Sequence, residues 1–376
     1  MIYLTLGDGY SGVYASQVIN VCKYLTQLGG KPVRLIAFIS LRVYRAQRRK
    51  IKAAYPNAIV LPAFPGVGRW QQNYTLLWLL MRFLPERKIM ARGILATQLA
   101  LRLREAGVID KVIFDGRGAY HAEWTEYEVV PDQGLVETAY ELERQAVHQA
   151  DYRLAVSRQL VHHWQKKYQY QVSAQVVVPC TLNAVHLTNL PSEQGLQKQR
   201  KERGYNAEDI ILIYAGSAAG WQSFSMVDEF LLRHLRQNQR LQVLLLSQLK
   251  LEELKSYRAF PDRVRKDWLK PEEVVQVMQM GDYGLLIREA TVTNQVASPT
   301  KFAEYLASGL KIIISPGIGD FSEWIQGAQA GYLLYKNRVL PLEKVSYAEK
   351  NELASKAREL FSKESYASAY QQILSL

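Results

Sequence analysis

A chain of 376 residues is long enough for two domains of ordinary size, and a hydrophobic content of 48% can fill a sizeable core in each. Its two cysteines, Cys22 and Cys180, lie far apart and fit neither a metal-ligand pattern nor a disulfide framework, which points to a reducing cytosolic compartment. The formal net charge of +12 directs attention to acidic partners: nucleic acid, anionic lipid or a phosphorylated substrate.

That charge is uneven. Residues 1–104 carry 16 Lys and Arg against only Asp8 and Glu86, whereas the rest of the chain is close to balanced. The start, MIYLTLGDGY, lacks the basic flank and long apolar stretch of a signal peptide and reads as a first core strand. The apolar run Tyr74–Leu84 is interrupted by Arg82 and falls short of the roughly 20 residues a bilayer crossing needs.

In chain order, Tyr3–Leu6 reads as a strand, GDGYSG as a glycine-rich turn, and Val13–Leu28 as a helix stopped by Gly29-Gly30. Gly7, Gly9 and Gly12 meet the G-x-G-x-x-G spacing. The following strand, Val33–Ile39, has no acidic residue near its end to hold a ribose, so the match to a dinucleotide site is weak. Val43–Tyr55 is a basic helix, Ile59–Leu61 a strand, Trp70–Leu84 an amphipathic helix, and Arg87–Arg104 another basic helix. Apolar and basic side chains together suit an anionic membrane surface; with no nucleic-acid motif beside the charge, no nucleic-acid partner is expected.

Val112–Asp115 is a strand followed by the loop GRGAYHAEW, so Asp115, Arg117, His121 and Glu123 lie just beyond a carboxyl end, where open α/β sheets bind ligands. A structural salt-bridge network explains the same charges. Val136–Gln149 and the segment from Ser157 to Tyr168 read as helices, Tyr152–Val156 and Gln175–Val178 as strands, and 179–206 as a polar interdomain linker. A second alternation begins with strand Ile210–Tyr214 and the small-residue loop AGSAAGWQS, in which Gly216 and Ser217 can let a phosphate or sugar approach the backbone. Strands at Leu241–Leu246 and Arg263–Lys266 and a helix from Pro271 to about Met280 continue it. Alternation in both halves predicts two parallel-sheet α/β domains.

The stretch 283–320 is the most informative. Tyr283–Ile287 is a buried strand ending at Arg288; a polar loop leads to a helix with Ser298 as N-cap and Pro299 in its first turn, stopped at Gly309 before strand Lys311–Ser315. Lys301 and Glu304 share one helix face. A helix N-terminus with Arg288 and Lys301 nearby suits a phosphate, and Glu304 can accept hydrogen bonds from ribose hydroxyls. An ordinary capped helix with solvated charges has the same spacing. The last helix is expected over about Ala348–Leu374.

ILIYAGSAAGWQS, MGDYGLLIR and PTKFAEYLASGLKIIISPGIGD, in that order, resemble the donor half of glycosyltransferase family 4. VIFDGRGAYHAE and ELERQAVHQADYRLAVS resemble segments of some bacterial members. The resemblance implies two Rossmann-like domains facing a cleft (the GT-B fold). The acceptor-side domain would span 1–185, with the C-terminal helix, about 355–376, packing back on it, and the nucleotide-sugar donor domain 186–354. It further implies sugar transfer with retention from a nucleotide-sugar substrate to a glycan or lipid-linked acceptor, without metal or cofactor. Such an enzyme would build capsule- or O-antigen-type polysaccharide from the cytoplasmic side of the inner membrane. By motif, Gly216, Ser217, Arg288, Ser298, Lys301 and Glu304 would bind the donor, and Asp115, Arg117 and Glu123 would carry the catalytic side. Two positions depart: Val296 stands where the family has a first glutamate, and Trp221-Gln222 where it has basic residues. A sugar-nucleotide epimerase of similar fold and a non-catalytic nucleotide-sugar-binding scaffold are the alternative readings.

Overall fold

Buried aliphatic runs become the central strands of two separate sheets in the computed structural model, which describes residues 1–216, 223–335 and 338–376. The chain divides into two units, Met1–Thr181 with Lys363–Leu376, and Leu182–Ser362. Among the described residues, the first unit holds seven strands: β1 (Ile2–Leu6), β2 (Arg34–Ser40), β3 (Ile59–Ala63), β4 (Lys88–Arg92), β5 (Lys111–Gly116), β6 (Tyr152–Ala155) and β7 (Gln175–Val177). They lie in the order β3-β2-β1-β4-β5-β6-β7 and every pair is parallel. Tyr3 and Leu4 of β1 are both fully buried, as expected of a parallel strand covered on both faces.

The core on one face packs Val18, Val21, Cys22 and Leu25 of the first helical segment against Leu35, Ala37 and Met90. Tyr370 and Ile373 join that core from the far end of the chain, with the Tyr24 and Tyr370 rings edge to face at 5.5 Å. The first helix is not uniform. It runs as Gly12–Tyr14, a π-helical turn Ala15–Ile19, and Asn20–Gly29. Ser11 caps it by accepting from the Tyr14 amide at 3.2 Å.

Three expectations need correction. The basic helix Arg87–Arg104 is a strand followed by a helix: Lys88–Arg92 is β4, seated between β1 and β5, and the helix is Gly93–Glu105. A strand buried on both faces has no alternation to betray it, and Gly93, at φ +77°, makes the turn between the two. The loop after β5 is short, because Tyr120–Tyr127 is helical and carries His121 and Glu123. The final helix is broken: Tyr347–Phe361 belongs to the second unit, and after extended Ser362 the chain forms a new helix, Ala367–Ser375, in the first.

The second unit repeats the plan among its described residues with β8 (Ile210–Ala215), β9 (Leu241–Leu246), β10 (Val264–Asp267), β11 (Tyr283–Leu286), β12 (Lys311–Ile314) and β13 (Gly331–Leu333), all parallel, in the order β10-β9-β8-β11-β12-β13. Phe302, Leu306, Phe321 and Phe361 fill one face, the Phe302 and Phe321 rings stacked at 4.1 Å; Val227, Leu231, Val243 and Leu285 fill the other. In both sheets the strand order reverses beside the first strand, between β1 and β4 and between β8 and β11. Those reversals open a crevice at the carboxyl ends, the position at which this architecture binds ligands.

Candidate functional site

In the second unit, β11 ends at Leu286 and delivers Arg288 to the carboxyl edge. Arg288 is buried, with its backbone amide donating to Ser315 Oγ at 2.9 Å and its guanidinium Nη1 donating to Asn294 Oδ1 at 3.3 Å. Asn294 is fully buried in a short helix, Val292–Gln295, where the sequence suggested only a polar loop, and its side-chain amide donates to the Glu289 carbonyl at 3.1 Å. The segment after β11 is thus tied down by side chains on both sides of Arg288.

The helix that follows is Thr300–Ala307. Its N-cap position is Pro299, not Ser298, and proline has no side-chain acceptor for the first-turn amides. The sequence misplaced the cap because Ser before Pro satisfies both N-terminal preferences at once. At the other end the Gly309 amide donates to the Leu306 carbonyl and the Leu310 amide to the Tyr305 carbonyl, with Gly309 at φ +74°. This Schellman closure ends the helix as anticipated.

Lys301 and Glu304 meet on one face, Lys301 Nζ to Glu304 Oε2 at 2.6 Å. His186 Nε2 lies 3.9 Å from Glu304 Oε1, while its Nδ1 is buried without a hydrogen-bond partner. Burial alone would raise the Glu304 carboxyl; Lys301 and His186 outweigh it and hold that carboxyl below its ordinary range. Burial depresses the His186 imidazole in turn, against the pull of Glu304. Sequence reasoning missed His186, because it stands in a stretch read as linker and no spacing rule connects it to a helix more than a hundred residues later.

Tyr305 sets the helix against the sheet. Its hydroxyl accepts from the Ala215 amide at 2.8 Å, and a Cβ on Gly284 would lie 2.4 Å from its ring, so only glycine lets the helix approach β11 this closely. The Ala215 contact couples the helix to the end of β8, where Gly216 is half-buried and donates to the Leu246 carbonyl at 3.3 Å. Ser217, like Trp221 and Gln222, lies outside the described residues. Val296 is buried, at the end of the Val292–Gln295 helix, and Glu289 is exposed.

The carboxyl edge of the first sheet is built differently. Asp115, at the end of β5, is fully buried and surrounded: the Tyr3 hydroxyl donates to Oδ2, Arg92 Nη1 lies 3.7 Å from Oδ2, and Arg117 Nε lies 2.6 Å from Oδ1. Arg92 also reaches Asp8 at 3.7 Å. Both guanidiniums are held charged by these neighbours despite burial, which opposes them. Asp115 and Arg117 are therefore brought together in an enclosed ion-pair network. Glu123 stands apart on its helix, with its carboxyl pushed up to about 7 by burial and then by Glu143 and Asp8 nearby. His121 is engaged elsewhere, its Nδ1 2.7 Å from Lys167 Nζ.

No family model matches the sequence, and no curated protein matches it. Solved structures share its fold. Anabaena HepE in complex with UDP superposes over 100% of this chain and 99% of its own, with a TM-score of 0.71 at 12% identity; its complex with UDP-glucose gives 0.70 at 13% over the same shares. WaaG, a glycosyltransferase involved in lipopolysaccharide biosynthesis, gives 0.62 at 13% identity over 100% of this chain and 94% of its own. At such identities the likeness is one of fold: two Rossmann-like parallel-sheet domains of the GT-B class.

Proposed function

We propose that this chain is a glycosyltransferase that moves a sugar from a nucleotide-sugar donor to an acceptor, with retention of anomeric configuration. The observation that carries the reading is the Lys301–Glu304 pair on a helix with a proline N-cap, in the segment that follows β11 and Arg288. Two cations and first-turn amides there suit a diphosphate, and Glu304 suits a ribose hydroxyl. HepE, which shares the fold, was solved with UDP and UDP-glucose, so uridine nucleotides are the first donors to test.

The diphosphate would take the place that a capping side chain takes in other helices, and would draw Lys301 away from Glu304. The carboxylate then turns to the ribose. Charge on the departing nucleotide is balanced by Arg288, Lys301 and the helix amides, with Gly216 giving the phosphates room. This reading needs no metal and no cofactor. In the first unit, Glu123 is the group able to take a proton from an acceptor hydroxyl near neutral pH. Asp115 would act by holding Arg117 and Arg92 in place, a positioning role behind the acceptor side.

The acceptor we favour is a lipid-linked glycan of the kind used in capsule or O-antigen synthesis, reached from an anionic membrane surface. The support is a surface at the carboxyl ends of β2 and β3. Leu41, Val43, Phe64 and Val67 are exposed there, beside a helix, Tyr44–Ala54, that exposes Arg45, Arg48, Arg49 and Lys50. Among the described residues no helix is long and apolar enough to cross a membrane, so contact would be peripheral.

The test is nucleotide release from UDP-, GDP- and TDP-sugars, with and without a lipid-linked acceptor and with and without chelator. Acceptor-dependent release unaffected by chelator is the expected outcome. Isomerisation of the donor without acceptor would instead make the chain an epimerase, and binding without turnover a scaffold.

A further inference from the structure

The second unit has a cavity that the transferase reading leaves unused. It encloses about 400 Å³, within the range of small-molecule sites, and lies at the amino ends of the strands. One wall is a face of the helix Glu193–Glu202: Glu193, Leu196, Gln197, Arg200 and Lys201. The facing wall is formed by Lys344, Val345, Tyr347 and Lys350, with Tyr205 and Asn206 between. β8 begins just beyond this cavity and ends at Ala215, next to Gly216, so the two sites lie at opposite ends of a six-residue strand, about 20 Å apart.

The lining is cationic. Arg200, Lys201, Lys344 and Lys350 stand against Glu193 alone among the lining side chains. Two of these cations are already part of the fold. Arg200 is buried, pairs with Asp282 at 2.8 Å and donates to the Met280 carbonyl at 2.8 Å; Lys350 is buried and donates to the Gly281 carbonyl. Lys344 donates to the Ala207 carbonyl. Lys201 is exposed, on the helix face that lines the cavity. Asp282 is the buried carboxylate shared by this group, and it also accepts from the Ile211 and Val345 amides at 2.8 and 3.2 Å. Burial depresses the Lys350 ammonium to about 8, with Asp282 pulling the other way and Arg200 and Lys344 adding to the depression. Leu196, Val345 and the Tyr205 and Tyr347 side chains supply an apolar body to the same cavity.

We propose that this cavity is a second ligand site, separate from the donor site, for a small organic phosphate carrying an apolar or aromatic group. The phosphate would sit between Lys201 and Lys344 at the mouth, with Arg200 and Lys350 raising the potential behind it. The apolar group would lie against Leu196 and Val345.

Calorimetric titration of the full chain with phenyl phosphate tests this, with inorganic phosphate and phenol as the two partial probes. Saturable binding of phenyl phosphate, tighter than either partial probe, is expected. It should persist in Lys301→Ala, which disables the other phosphate-binding edge, and weaken about tenfold in Lys201→Glu, where one attractive charge becomes repulsive. Lys344→Gln provides a second variant of the same direction. Absence of saturation, loss of binding in Lys301→Ala, equal binding of phenol, or indifference to Lys201→Glu would each overturn the proposal. Because Lys301→Ala is the control, failure here is distinguishable from failure of the transferase reading.

Discussion

The two sheets share one strand order up to their sixth strand, yet their carboxyl edges treat charge in opposite ways. In the first, Asp115 is sealed among Tyr3, Arg92 and Arg117, so that acid and base neutralise each other out of solvent. In the second, Lys301 and Glu304 form a partly buried pair, their side chains 27% and 15% exposed, beside a helix start whose N-cap position is proline. A closed network holds an edge in shape; an open pair can be exchanged for a ligand. On the proposed function, the same topology would support a positioning edge in one unit and a binding edge in the other.

The sharpest way to break this contrast is Asp115→Ala. It leaves two buried guanidiniums without their shared partner and should cost about 3–5 kcal/mol in urea unfolding. Unchanged stability with lost turnover would move Asp115 into the reacting centre. Next in size is reversal of Arg45, Arg48 and Arg49 to Glu, which should reduce sedimentation with anionic liposomes by about 1 kcal/mol per cation and leave neutral liposomes unaffected. Indifference to those charges would remove the membrane from the reading of the first unit. Lys301→Ala should weaken UDP binding about tenfold by calorimetry, since one charge-assisted contact is lost. Equal affinity would mean that the open pair is as structural as the closed one.

A further effect is one of pH. The Glu123 carboxyl is raised to about 7 in the folded chain, so the folded state holds its proton more tightly than the unfolded state does. Stability therefore falls as pH climbs from the ordinary carboxylate range to about 7, and a base at this position gains activity over the same rise. Glu123→Gln should flatten both profiles. An unaltered pH–rate curve in that variant would exclude Glu123 as the base.

How much of this was legible in the sequence follows from which signals are local. The Lys301–Glu304 pair could be read because both residues lie three apart on one helix, and the Schellman ending at Gly309 depends on a few adjacent residues. β4 was not legible, since Ile89, Met90 and Ala91 are buried on both faces and lie against basic residues that continue into a helix. His186 beside Glu304 and Tyr3 beside Asp115 are contacts across more than a hundred residues, which no periodicity encodes. The break in the last helix was hidden because the segment from Tyr347 onward stays rich in helix formers across Ser362.

That break has a consequence for how the chain is assembled. The Leu182 amide donates to the Phe361 carbonyl at 2.8 Å, so the second unit begins and ends at the same place. In chain order the second unit interrupts the first near its end, as a guest within a host. The host cannot seal its core when its first 181 residues have been synthesised, because Tyr370 and Ile373 are still to come, whereas the guest needs only its own uninterrupted segment. Residues 182–362 should therefore fold when expressed alone. The remainder should require its last 14 residues, supplied either through a short bridge across the junction or as a separate peptide.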